Sequence, residues 1–426
     1  MVDIHQVWPY FAMLALALAF AALPWFRAAD RAPPQADQRS DTLDGLRGFL
    51  ALSVFASHVI VHHEYLRTGV WKPSPSAFYN SAGLLGICLF FMITGFLFWN
   101  KLLTAGGRPG WKALYIGRVF RLGPMYLVAV LTMIAIVAYR TGFELRVPPS
   151  QAIASALGWL ALGIVPPPPT LNGYADTGTI LAGVTWTLFF EWLFYFSLPV
   201  SAWFVRRGRH LAFSAGLVAL CLLTIAASSW HGGFEPGIKP RPILFLAVLA
   251  ELVLMLGAGM FVASLLHAGI GTRVQWRRPL WGVVALLCLA ALFATMIAGA
   301  PRIGLAQLFL LCPLAGTFFF IVCSGNRLFG LLAWPASRRL SNLSYGIYLS
   351  QGLILVAVFA IPGVGTYAAS GGPAFCIVYL GCALLLCASA LLTYRYVEEP
   401  GIRLGKRIAS RLGAKSNMRV ALPATT

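Results

Sequence analysis

Apolar residues in this chain do not recur at the period of a half-buried helix or strand. They run together in blocks of membrane-spanning length, separated by polar connections that carry arginine. The blocks lie roughly at 7–26, 45–63, 81–99, 114–138, 182–204, 211–229, 242–267, 279–298, 304–322, 342–362 and 374–395. They predict an all-α polytopic membrane protein of about eleven transmembrane helices. A further apolar stretch, 152–165, is shorter and runs into Pro166–Pro169. A crossing there would invert every later connection. It is therefore expected as a re-entrant or interfacial helix inside the long connection 139–181. Near the C-terminus Ile402, Leu404, Ile408 and Leu412 interleave with Arg403, Lys406, Arg407 and Arg411, a pattern that suits a helix lying on an anionic membrane surface. The expected division is an N-terminal helix and linker (1–41), a membrane core (42–404) and a basic tail (405–426).

Composition agrees: 59% of the 426 residues are hydrophobic and 11% charged, which excludes a single water-soluble core. A net charge of +19 would suit nucleic acid, but the basic residues are scattered among the connections, and membrane orientation accounts for them better. With strict alternation, most of them fall on the side of the first connection (Arg27, Arg31, Arg39). That side is expected to be cytoplasmic, with the N-terminus outside, the C-terminus inside, lipid as a partner and no nucleic acid. The first block has no basic region ahead of it and arginines behind it, the reverse of a secretory signal, so it is expected to be retained. The eight cysteines sit in or at the edges of apolar blocks without a CxxC pair and read as packing residues; no metal site is expected.

Ionisable side chains inside a span are costly unless paired or hydrated, so each is a candidate for chemistry. In LDGLRGFLALSVFASHVIVHH (43–63), Arg47 and His58 are eleven residues apart. Three turns plus about 20° place them on one helix face, about 16 Å apart along the axis. An anion held at Arg47 then lies an extended arm's length from His58; anchoring by Arg47 and a hydrogen-bonded core role for His58 compete with that reading. His62, four residues on, could complete a metal-binding pair, but no third ligand has matching spacing. Glu191, in WTLFFEWLFYFSLP (186–199), lies near the depth of His58, and Leu188 and Tyr195 share its face. It suits orienting an imidazole, or a structural hydrogen bond to a nearby ring. Arg118 and Arg121 lie three apart at the inner edge of their span and suit an anionic ligand or ordinary anchoring. Glu251 stands alone in its span.

Six segments in order, from about residue 42 to 404, resemble the acyltransferase-3 family of bacterial integral-membrane O-acyltransferases. LDGLRG followed by His58 resembles its Arg-x10-His element, and GICLFFMITGF (86–96) its Gly- and Phe-rich second segment. Arg118-x-x-Arg121 with Pro124 resembles R-x-x-R-x-x-P. WTLFFEWLFY, SYGIYLSQ (344–351) and YRYVEEP (394–400) resemble the remaining three. Thr94 replaces a usual serine, Cys88 a frequent aspartate and Gln351 a usual histidine. The first helix is additional to the family's ten-helix core, and a fused esterase-like domain, as in some members, is not expected.

The resemblance implies a protein of the bacterial cytoplasmic (inner) membrane. It would transfer an acyl group, most often acetyl, from acyl-coenzyme A (acetyl-CoA) to a hydroxyl of a carbohydrate acceptor, either a surface glycan or its lipid-linked precursor. On that reading Arg47, Arg118 and Arg121 hold the coenzyme's phosphates and His58 is the general base. Glu191 orients or charge-balances His58. Tyr345 or Tyr348 donates to the oxyanion, Thr94 contributes a hydroxyl and Gln351 positions the acceptor. The competing class is a proton-coupled transporter or flippase of a glycan or lipid, which also uses buried ionisable residues but favours internal symmetry and broken helices.

Overall fold

The computed structural model describes residues 6–30, 40–166, 170–230, 242–299 and 305–420. Every apolar block forms a helix. In chain order the helices are α1 (Trp8–Ala22), α2 (Ser40–Thr68), α3 (Ala77–Thr104), α4 (Trp111–Arg140), α5 (Pro149–Leu160), α6 (Thr177–Ile180), α7 (Trp186–Arg206), α8 (His210–Trp230), α9 (Pro242–His267), α10 (Pro279–Ala298), α11 (Leu305–Cys323), α12 (Pro335–Asn342), α13 (Ser344–Phe359), α14 (Val364–Ala369), α15 (Gly372–Thr393) and α16 (Glu399–Val420). No strand occurs among the described residues; an isolated bridge joins Leu171 and Tyr174.

Among the described residues eight helices have the length and hydropathy of a membrane span, or nine if the pair α12–α13, bent by 63°, counts as one. Two further helices are apolar but shorter over their described residues, α1 and Gln307–Cys323 of α11. The first block was read through to residue 26, but its end winds into a 3-10 turn at Pro24, whose ring removes a donor from the helical ladder. The expected span at 342–362 is the bent pair α12–α13, whose break falls at Leu343. Helix α5, 12 residues long, is shorter than a membrane span. It leans on its neighbours through Tyr126 Oη donating to Trp159 O (2.8 Å) and Trp192 Nε1 donating to Leu162 O (2.8 Å).

Contacts at both ends fix the alternation of the helices. At the arginine-rich end, Thr42 donates to Val322 O, Arg206 to Gly107 O and Trp99 to Ser264 Oγ. At the other end Tyr79 donates to Gln6 O, and His63 packs edge-on against Phe375. Helix α1 is latched to the core: Arg339 holds both carboxylate oxygens of Asp30 (2.7 and 3.0 Å) and donates to Ala21 O. The glycines of LDGLRG are packing devices as well as motif letters. A Cβ on Gly45 would strike the backbone of Leu332, and one on Gly48 that of Leu340 and Ser341.

The last helix does not stop where the tail was expected to begin. A π-helical turn at Tyr394–Glu398 joins α15 to α16, and the helix continues through Leu412. Over its first turns one face of α16 packs on the core. Gly401 and Gly405 lie directly against Pro124 and Phe120 of α4, an approach that only residues without a Cβ allow.

Candidate functional site

Between α3, α4, α7, α13 and α16 lies a cavity of about 640 Å³, a size typical of small-molecule sites. Its wall on α3 extends from Lys101 to Ile87, fourteen residues or about 21 Å of helix. Five cationic side chains line it: Arg47, Lys101, Arg118, Arg121 and Lys406. Deeper in, the lining includes Thr94, Thr187, Glu191, Tyr195 and Tyr348. Arg47 of α2 and the pair Arg118 and Arg121 of α4 thus line one cavity. Helix α4 places Arg118 and Arg121 on the same side three residues apart. The Arg118 guanidinium lies over the Phe98 ring at 4.7 Å and near that of Tyr195 at 5.9 Å, which holds a flexible side chain in place at little desolvation cost.

Glu191 lines this cavity but is not the partner of His58. Its Oε2 accepts from Tyr195 Oη at 2.7 Å, one turn along the same helix. Of the two roles expected of Glu191, the hydrogen bond to a nearby ring is present: the carboxylate lines the arginine-bearing cavity, and the i, i+4 spacing to Tyr195 supplies a donor. Tyr345 also lines the cavity, and its hydroxyl donates to Leu122 O at 3.0 Å. Tyr348 remains a candidate donor. Its hydroxyl is 3.1 Å from Thr187 Oγ1 at the inner limit of the cavity.

His58 does not line the cavity. It stands beyond the Thr187–Tyr348 end, where its Nδ1 lies 3.1 Å from Gln351 Oε1 and its ring stacks on Trp71 at 6.3 Å. Gln351, fully buried, is joined back to the cavity wall because its Nε2 donates to Tyr348 O at 2.7 Å. His62 packs against Phe359 and Trp71, and the described residues hold no group of three His, Cys, Asp or Glu side chains suited to a metal. Glu251 is exposed on α9, away from the cavity.

Sequence reasoning missed Lys101, Lys406 and Trp71. Lys101 reads as a helix-end anchor, Lys406 as part of a surface tail, and Trp71 sits in a polar connection. Only Thr187 and Tyr195 carried a signal, by lying inside the segment that holds Glu191. A second cavity, of about 620 Å³, lies at the α9–α10 connection beside Trp276, Arg277 and Arg278; it gathers none of the motif residues. Of the connection 230–241, residues 231–241 lie outside the described residues.

A family model described as an acyltransferase domain matches residues 40–394. The chain is 24% identical over 400 residues to Nodulation protein 10 of Rhizobium leguminosarum bv. viciae, covering 87% of this chain and 95% of that protein. It is 25% identical over 391 residues to Acyltransferase MdmB of Streptomyces mycarofaciens, covering 87% of this chain and 93% of that one. A candidate peptidoglycan O-acetyltransferase of Bacillus subtilis (strain 168), YrhL, is 23% identical over 395 residues, of which the chain spans 56% of the relative's length. No solved structure matches.

Proposed function

The chain belongs to the acyltransferase domain family, and on that premise we propose that it moves an acyl group, most simply acetyl, from acyl-coenzyme A to a hydroxyl of a surface glycan or its lipid-linked precursor. The observation that carries the donor side is the cavity itself, whose α3 wall is about 21 Å long, with five cationic side chains and hydroxyls at its inner end. Arg47, Lys101, Arg118, Arg121 and Lys406 suit the phosphates of a nucleotide-bearing donor. The length of that wall suits an extended thioester arm reaching Thr187 and Tyr348. The acceptor class rests on one relative's name, a peptidoglycan O-acetyltransferase. The positive-inside rule supports a multi-pass place in the bacterial cytoplasmic membrane, with the arginine-rich end, the cavity mouth and the C-terminus cytoplasmic and the N-terminus outside.

The chemistry is a direct transfer. His58 takes the proton of the acceptor hydroxyl as its oxygen attacks the thioester carbonyl. Tyr348 or Thr187 donates to the oxyanion. The C–S bond then breaks, and the imidazolium returns the proton to the leaving thiolate.

Purified protein in lipid is expected to turn over acetyl-CoA when a hydroxylated glycan acceptor is supplied, whereas a transporter would leave the thioester intact. His58→Ala should keep coenzyme binding while kcat falls about 100-fold or more. Near-normal transfer by that variant would remove the base role from His58.

A further inference from the structure

We infer that Gln351 is a positioning residue that fixes the tautomer of His58, holding the proton on Nδ1 so that Nε2 is the basic nitrogen. The inference rests on the general-base role of His58 and begins from an atom whose hydrogen-bonding role is not in doubt. Tyr348 O is a backbone carbonyl and can only accept. The Gln351 nitrogen 2.7 Å from it must therefore be the amide NH2, which settles an orientation that the amide's shape alone leaves open. Oε1 then faces His58, and an amide oxygen can only accept. At 3.1 Å the His58 Nδ1 must supply the hydrogen. A neutral imidazole has one N–H, so the lone pair is on Nε2.

Burial makes the arrangement persistent. Gln351 has no exposed surface, and the neighbouring Gly352 packs against the backbone of Ile180, Leu181 and Ala182, where a Cβ would not fit. Helix α13 therefore cannot rotate to offer His58 a different group. The His58 ring is also held on one face by Trp71. When Nε2 takes the acceptor's proton, Nδ1–H continues to donate to Oε1, so the imidazolium keeps its orientation until Nε2 gives the proton to the leaving thiolate. A neutral amide does this without accepting the proton itself.

The test is magic-angle-spinning NMR of the full chain labelled with 15N-histidine in lipid bilayers, with His58→Ala identifying the His58 signals among the seven histidines. Neutral His58 is expected to show its one-bond N–H coupling on Nδ1; a coupling on Nε2 would overturn the inference. Gln351→Met, close to isosteric but without the amide, is expected to admit the other tautomer and to lower kcat about 10- to 100-fold, with KM for acetyl-CoA unchanged. Wild-type kcat in a folded Gln351→Met protein would also overturn it. If instead His58→Ala is active while the coupling sits on Nδ1, the general-base reading fails and the tautomer assignment stands.

Discussion

Arg118 is the side chain in which packing and ligand binding meet most directly. Its guanidinium lies over Phe98 while it lines the cavity, so the ring restricts the side chain before any anion arrives. Arg118→Ala is expected to raise KM for acetyl-CoA about 10-fold or more, the loss of one charge-assisted contact, with a smaller effect on kcat. Steady-state kinetics check it, and an unchanged KM would return Arg118 to membrane anchoring. His58 and Arg47 were legible as residues that an apolar helix does not tolerate without purpose. Their functional neighbours were not. The partner of His58 is 293 residues away in sequence, and no spacing rule links α2 to α13. The Glu191–Tyr195 bond was legible, because four residues on a helix is a contact in any fold.

At the scale of elements, the bundle is held by close helix crossings. On α3 and α9, a Cβ added to Gly95 would overlap the carbonyl of Leu256, and one on Gly259 that of Met92. Both obstacles are backbone, which cannot turn aside as a side chain can. Gly259→Ala is expected to destabilise the protein by about 1–3 kcal/mol, seen as a lower melting temperature in detergent. Gly216→Ala on α8, where nothing lies within 4 Å of the added carbon, should leave the melting temperature within experimental scatter or raise it slightly. The hydrophobic blocks announce α3 and α9 as spans but not that they touch through glycine. In lipid every face of such a helix is apolar, so the sequence carries little of the one-sided pattern that marks a buried face in water.

For the whole molecule, the decisive feature is the return of α16 to the core. Through Ile402, Gly405, Lys406 and Ala409 it supplies one wall of the cavity that α3, α4, α7 and α13 leave open. Truncation after Glu398 is therefore expected to weaken acetyl-CoA binding about 10-fold or more while the protein still inserts in the membrane. Five cationic side chains facing a polyanion also make binding salt-sensitive. Wild-type affinity should fall as ionic strength rises, and Lys406→Gln should both weaken binding and flatten that dependence. Fluorescent coenzyme A titrations at low and high salt measure both. Affinity indifferent to truncation would place the donor elsewhere.

By itself the sequence determined that this chain is a helical membrane protein, because only long apolar blocks meet the demand that every backbone group in hydrocarbon be bonded within its own segment. It also determined which polar residues were out of place, because the cost of burying a charge does not depend on the neighbours that later compensate it. Tertiary structure alone decided which of those residues face one another. It gathered Arg47, Lys101, Arg118, Arg121 and Lys406 around one cavity and gave His58 to Gln351. Such pairings follow from helix contacts between distant segments, which the sequence does not spell out.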